Sequence, residues 1–196
     1  MFIVIEGIDG TGKNTLAEKI REMYPNPEQV IITEEPYLQE TRKLVPVIKD
    51  PIGVALLFSA DRRYHIKNVI LPSLHEGKHV ISVRYALSTL VYESCLGAST
   101  EELEKINEIT TKEIVPDIGI ILDIDVYTAL ERIKKRGEID NFFEKKVFLE
   151  EVRRKYLYFA EKYGYQVFHT YTIDDTVSIA ETIVEQMIKG EKSLQR

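Results

Sequence analysis

No second cysteine accompanies Cys95 anywhere in the 196 residues. An intrachain disulfide is therefore excluded, and a reducing compartment is expected. Tryptophan is absent, and no apolar run approaches the roughly 20 residues that a membrane-crossing helix needs. The apolar start of the chain lacks a basic segment and is broken by Glu6 and Asp9, so it does not read as a signal peptide. Positive charge is not in excess either: 26 Lys and Arg against 32 Asp and Glu leave a net charge of −6. That balance argues against a surface that coats nucleic acid. His65, His75, His79 and His169 are scattered, and Gly77 keeps the 75/79 pair off a shared helix face, so no zinc site is expected. What these absences leave is a cytoplasmic protein of one domain, with no nucleic-acid or membrane partner. Its hydrophobic content of 44% is enough for a sizeable core.

What is present begins at the second residue. Phe2, Ile3, Val4 and Ile5 form a short apolar run rich in β-branched residues, which reads as a buried strand. Gly7-Ile8-Asp9-Gly10-Thr11-Gly12-Lys13 follows at once and fits the phosphate-binding pattern G-x-x-x-x-G-K. Glycines let the backbone turn so that successive N–H groups converge on phosphate oxygens. A helix opening near Asn14 adds its positive end, and Lys13 adds a point charge. Leu16, Ile20 and Met23 recur at helical spacing, so the loop lies between strand and helix, as such a loop must. One position departs from the pattern. A hydroxyl residue normally follows the lysine and ligates Mg²⁺, but here Asn14 stands there, with Thr15 next. The Asn14 amide oxygen is the candidate metal ligand.

Further apolar runs at 29–33 (QVIIT), 79–83 (HVISV), 118–123 (IGIILD) and 166–170 read as strands. Helical patterns cover 40–49, 54–76 with a kink or restart at Pro72, 101–112, 127–136, 145–163 and 176–189. Ser99 with Glu102 has the spacing of a capping box, and 137–141 reads as a loop. Strands alternating with helices predict an α/β fold of three layers, a five-stranded parallel sheet with helices on both faces. No internal repeat or linker divides the chain.

Several blocks in order then resemble the thymidylate kinases, P-loop nucleoside monophosphate kinases. They are the loop itself, TEEP at 33–36, LLFSADR at 56–62, VISVRY at 80–85, STLVYE at 88–93 and the PDIGIILDID…ALERIKKRGE run from 116 to 138. The resemblance implies transfer of the ATP γ-phosphoryl to dTMP, with Mg²⁺, in a homodimer. It places Gly7, Asp9, Gly10, Thr11, Gly12, Lys13, Asn14 and Thr15 around the donor phosphates. Asp9 would also accept a hydrogen bond from the acceptor sugar. Phe58 would stack on thymine, although a core phenylalanine on a helix fits the same spacing. Arg62 would read the base edge, Tyr92 would line the base pocket, and Arg84 would contact phosphate between donor and acceptor. Arg132 and Arg136, with Lys134 and Lys135, would begin a lid spanning about 132–145. Gly10 occupies the place where some relatives carry a catalytic arginine. Arg136, or failing it Arg153, is then the candidate for that charge, beside Lys13, Asp9 and Arg84 in the catalytic set.

Other departures from the family pattern also fall on chemistry. Glu34 replaces an arginine that faces the acceptor phosphate, and Val83 replaces an aspartate that orders the metal's water shell. Glu93 stands where the family usually has glutamine beside the base. Arg42 or Lys43 is a possible replacement cation, and Asp123 a possible metal partner or merely a strand-end cap. Reduced activity is expected on this pattern. A kinase for another nucleoside monophosphate and a weakly catalytic nucleotide-binding paralogue are the alternatives.

Overall fold

The computed structural model describes residues 1–137 and 142–194. Strands β1 (Phe2–Glu6), β2 (Val30–Glu34), β3 (His79–Val83), β4 (Ile118–Asp123) and β5 (Gln166–His169) form one sheet. Its order is β2-β3-β1-β4-β5, every neighbouring pair being parallel. The nucleotide-loop strand is therefore the middle one, flanked by β3 and β4. All five of its residues are buried, which explains the unbroken apolar reading.

Alternate residues of β1 serve opposite faces. Ile3 and Ile5 join Leu16 and Ile20 of α1 (Lys13–Met23) and Ile183 and Met187 of α9 (Ile173–Leu194). Phe2 and Val4 pack on the other side with Ile66, Ile70 and Tyr85. That second face is covered by α3 (Pro51–His65), α5 (Ala86–Cys95), α6 (Thr100–Thr111), α7 (Val126–Lys135) and α8 (Phe142–Tyr163), around Leu87, Leu130, Val152 and Tyr156. The outcome is the three-layer α/β fold read from the sequence.

Several local expectations are corrected. The long helical pattern at 54–76 holds as one continuous run over 51–75, but it contains a widened π-type turn (Ile66–Ile70) between α3 and α4 (Leu71–His75), just ahead of Pro72. Pro72 sits in the first turn of α4, where its missing N–H costs least. The helix expected at 40–49 is only α2 (Gln39–Leu44): Val45 keeps helical backbone and its N–H still reaches the Thr41 carbonyl at 3.1 Å, but Pro46 has no N–H with which to continue the ladder. Ser99 is the N-cap of α6 but makes no side-chain capping bond, so the capping box does not form. Side-chain caps form elsewhere: Asp50 and Asp125 accept from the N–H groups of Gly53 at 2.6 Å and Thr128 at 2.9 Å, and Thr172 and Asp175 cap α9 reciprocally at 3.1 and 2.7 Å. Helix α5 has no counterpart in the periodicity reading. The rest of the expected 137–141 loop and of the 132–145 lid, residues 138–141, lies outside the described residues.

Candidate active site

The loop leaves β1 in a conformation that only its glycines permit. Gly7 has φ 134° and Gly10 φ 88°. A Cβ on Gly7 would lie 2.4 Å from the Leu122 carbonyl oxygen, and one on Gly10 would lie 2.5 Å from that of Ala129. Hydroxyl and guanidinium groups then pin the turn. Thr11 Oγ1 donates to the Ile8 carbonyl at 2.9 Å, and Thr170 Oγ1 to that of Thr11 at 2.7 Å. Arg132 donates to the Gly10 carbonyl at 3.2 Å, and to those of Thr170 and Tyr171 at 2.8 Å each. Arg132 therefore ties the head of the expected lid to the loop and to the turn after β5.

Lys13, buried at the head of α1, folds back so that Nζ donates to the Gly7 and Ile8 carbonyls at 2.9 Å each. Burial first, then the charge of Arg84, pulls its pKa down to about 7, against the opposing pull of Asp9 and Glu6. Phosphate oxygens in place of those carbonyls would restore the full charge. The loop opens on a cavity of about 490 Å³ whose walls include Asn14, Thr15, Glu34, Arg42, Val83 and Arg136.

Arg84 follows β3 and is the sole non-glycine residue with positive φ among the described residues, at 68°. Left-handed backbone in an arginine is strain that the surroundings must impose. Here Arg84 N–H donates to the Ile5 carbonyl at 2.9 Å. The next residue's N–H donates to Glu6 at 2.9 Å. Glu6 is fully buried and also accepts from Ser88 N–H at 3.1 Å, from the Ser88 hydroxyl, and from Tyr156 at 3.2 Å. Burial raises the Glu6 pKa against these donors and the charge of Arg84. So aimed, the Arg84 guanidinium meets Asp9 of the loop, touches Ser88 Oγ at 3.2 Å and lies over the Tyr92 ring at 5.2 Å. Burial works to raise the Asp9 pKa, but Arg84 and Lys13 outweigh it and hold the carboxylate below its ordinary value.

A second cavity, about 420 Å³, adjoins on the far side of Arg84 and is walled by Phe58, Thr89, Tyr92, Glu93, Leu96 and Phe148, among others. Phe58 is half-buried in this wall and belongs to none of the packed clusters, which favours the pocket over the core. Arg62 lines the same cavity yet is 1% exposed and heavily committed. It donates to Glu35 at 2.8 Å, Asn107 at 3.1 Å, Thr89 Oγ1 at 2.8 Å and the Tyr85 carbonyl at 3.3 Å. Glu35 in turn lies 3.2 Å from His65 Nδ1. The arginine thus builds the pocket wall, with most of its donors already used.

The departures from the family pattern are also placed. Glu34 is met by Arg42, whose NH2 lies 2.5 Å from Oε1 and which also donates to the Pro36 carbonyl. Both residues face the loop cavity, so its net charge at this edge is near neutral rather than negative. Val83 is a buried strand end with no donor to offer. Asp123 is no free metal ligand: Arg153 grips it at 2.6 and 2.8 Å, and His169 stands 3.4 Å away. That grip also takes Arg153 out of contention for the loop, whereas Arg136 lines the cavity and acts electrostatically on both Asp9 and Lys13. Sequence reading missed Glu6, Glu35 and Asn107. Of the three only Glu6 left a signal, a lone carboxylate ending an otherwise apolar strand.

Comparison with known proteins agrees with this geometry. A model of the thymidylate kinase family matches residues 5–183. A "Probable thymidylate kinase" of Sulfurisphaera tokodaii is 39% identical over 191 residues, covering 96% of this chain and 94% of that protein. One from Sulfolobus acidocaldarius is 40% identical over 169 residues, covering 83% of this chain and 84% of its own. The crystal structure of thymidylate kinase from Ehrlichia chaffeensis shares the fold with a TM-score of 0.72 at 26% identity, over 93% of this chain and 98% of that one. With a family model spanning most of its length and relatives matched nearly end to end, the chain belongs to the thymidylate kinase family.

Proposed function

We propose that the protein transfers the γ-phosphoryl group of ATP to the phosphate of dTMP, giving dTDP and ADP. One observation carries the reading beyond family membership: Arg84 lines both cavities, the phosphate-facing one and the one walled by Phe58. An acceptor with its base in the second cavity therefore presents its phosphate at the same guanidinium that overlooks the loop. In this reading the loop amides from Gly7 to Thr15 and Lys13 hold the donor phosphates. Asp9 takes the acceptor sugar hydroxyl, and Phe58 and Tyr92 flank the base. Arg84, with Arg136 across the cavity, neutralises charge as it spreads over the transferring group. Arg42 supplies the cation for the acceptor phosphate that Glu34 cannot. Arg132 serves the nucleotide site by bracing the loop rather than by gripping ATP.

The Asn14 amide oxygen at the cavity edge suits a hard cation such as Mg²⁺, whereas Glu34 is taken by Arg42. When bound with the nucleotide, the ion neutralises phosphate charge. The protein is further proposed to be cytoplasmic and to pair with a second copy through α3 and α6, where Leu56, Tyr64 and Ile109 remain exposed.

The test is steady-state kinetics with ATP and a panel of acceptors. dTMP should be the preferred one. Phe58→Ala should raise its KM by roughly 5- to 150-fold, since base–aromatic stacking is worth about 1–3 kcal/mol, and should leave the KM for ATP unchanged. Equal turnover of dTMP and AMP would overturn the assignment of the second cavity.

A further inference from the structure

Glu93 is a carboxyl with an unfilled oxygen. It lies on α5 in the wall of the second cavity, its residue is 3% exposed, and its Oε2 meets no hydrogen-bond partner among the described residues. The charged groups on the elements packed around α5 are turned elsewhere. Arg62 of α3 is bonded to Glu35, and Arg84 to Asp9. On α8, Lys155 donates to Ser94 Oγ at 2.9 Å, and Arg154 pairs with Glu151. On α6, Glu104 takes Lys162. Among the described residues no cation stabilises the ionised form of Glu93, and burial raises its pKa to about 7.

We propose that Glu93 recognises the acceptor base as a neutral carboxylic acid, its carbonyl oxygen accepting from a pyrimidine N3–H while its O–H donates to the adjacent ring carbonyl. A protonated carboxyl carries one donor beside one acceptor. The imide edge of thymine offers the complementary pair, and so a neutral acid replaces both halves of a glutamine amide. The ionised carboxylate has no donor. It would still accept from N3–H, but it would set negative charge against the neighbouring carbonyl oxygen. The role deepens the dTMP reading and rests on it: the neutral acid makes a donor-and-acceptor test of the base, and protonation couples acceptor binding to pH.

The probe is thymidine, which has no phosphate to titrate in the relevant range. Its binding to the full chain is measured calorimetrically from pH 6 to pH 8 for the natural protein and for Glu93→Gln. A group titrating at about 7 is mostly protonated at the lower limit and mostly ionised at the upper one, so affinity in the natural protein should fall about tenfold across the range. In Glu93→Gln it should stay flat, near the natural protein's value at pH 6. Difference infrared spectra at pH 8 supply an independent reading: adding thymidine should bring up the C=O stretch of a protonated carboxylic acid, and Glu93→Gln should lack it. Thymidine binding with the same pH dependence in both proteins, or without that band, would overturn the role of Glu93 while leaving the base pocket intact. No thymidine binding at any pH would overturn the pocket reading and this proposal together.

Discussion

Arg84 combines a side chain placed for chemistry with a backbone placed at a cost, and two substitutions separate these. At φ 68° any residue with a Cβ is strained by about 1–2 kcal/mol, whereas glycine is not. Arg84→Ala keeps the strain and loses the guanidinium; Arg84→Gly loses both. In an ordinary position glycine is the less stable of the two by roughly 0.5–1 kcal/mol, because it gains more entropy on unfolding. Here the order should reverse, with the glycine variant ahead by up to about 1 kcal/mol. For a chain of this size that is a melting temperature about 2–4 °C higher than the alanine variant. Activity should not follow stability. Removing a positioned charge from a phosphoryl-transfer site costs about 10²–10³-fold, and both variants should lose kcat/KM for dTMP to that extent. Thermal melts and a coupled ADP-release assay on the same preparations decide it. An alanine variant as stable as the glycine one would refute the strain. Near-natural turnover in either would refute the placement of Arg84 between donor and acceptor.

Other outcomes follow from the same geometry. The pKa of Lys13 lies at about 7 folded against 10.5 for the free side chain. Between those values the unfolded chain binds more protons, so this residue makes stability rise with pH. Lys13→Met should flatten that slope in denaturant titrations, and ADP binding at pH 8 should take up protons in calorimetry only when Lys13 is present. Arg42→Ala should raise the KM for dTMP by roughly tenfold or more, as loss of a charge-assisted bond of about 1.5–3 kcal/mol implies, and Glu34→Ala should not. Glu34→Arg, attractive from the family pattern alone, should not improve kcat/KM, because it sets a second guanidinium against Arg42; Val83→Asp should raise kcat by adding a carboxylate at the cavity edge. Arg62→Ala should strip buried Glu35 of its guanidinium and leave it only His65, destabilising the fold and confounding any affinity measured with it.

The strands were legible because a central parallel strand is buried on both faces and reads as an unbroken apolar run, as FIVI and VISV do. The loop was legible because its glycines and Lys13 are contiguous. Helix α5 escaped for the opposite reason. Leu87, Thr89, Leu90, Val91, Glu93 and Ser94 are all buried, so polar residues stand among apolar ones around the whole helix and no stripe emerges. Partnerships between distant residues left no local trace either. Nothing near Arg62 announces Glu35 or Asn107, and nothing near Arg153 announces Asp123. In the sequence Glu34 looked like an uncompensated charge, and the cation beside it comes from a helix that begins only five residues later. The three-dimensional arrangement also adds a role for Arg62, which lines the second cavity and at the same time holds Glu35, Asn107 and Thr89 in its wall.

The position of β1 in the middle of the sheet has a consequence for how the protein is made. Ile3 pairs across to Ile81 on one side and to Ile118 on the other. The strand that carries the nucleotide loop is synthesised before the other four and gains its second neighbour only once the chain has passed Asp123. Loops that long close slowly, and sheets built from such distant partners fold late. Until then the loop has no carbonyls of Leu122 and Ala129 to rest against, so nucleotide finds no site on an unfinished chain. Binding of ATP or ADP thus stabilises only molecules that have completed the whole sheet, and in refolding experiments its onset should coincide with the final, slowest phase.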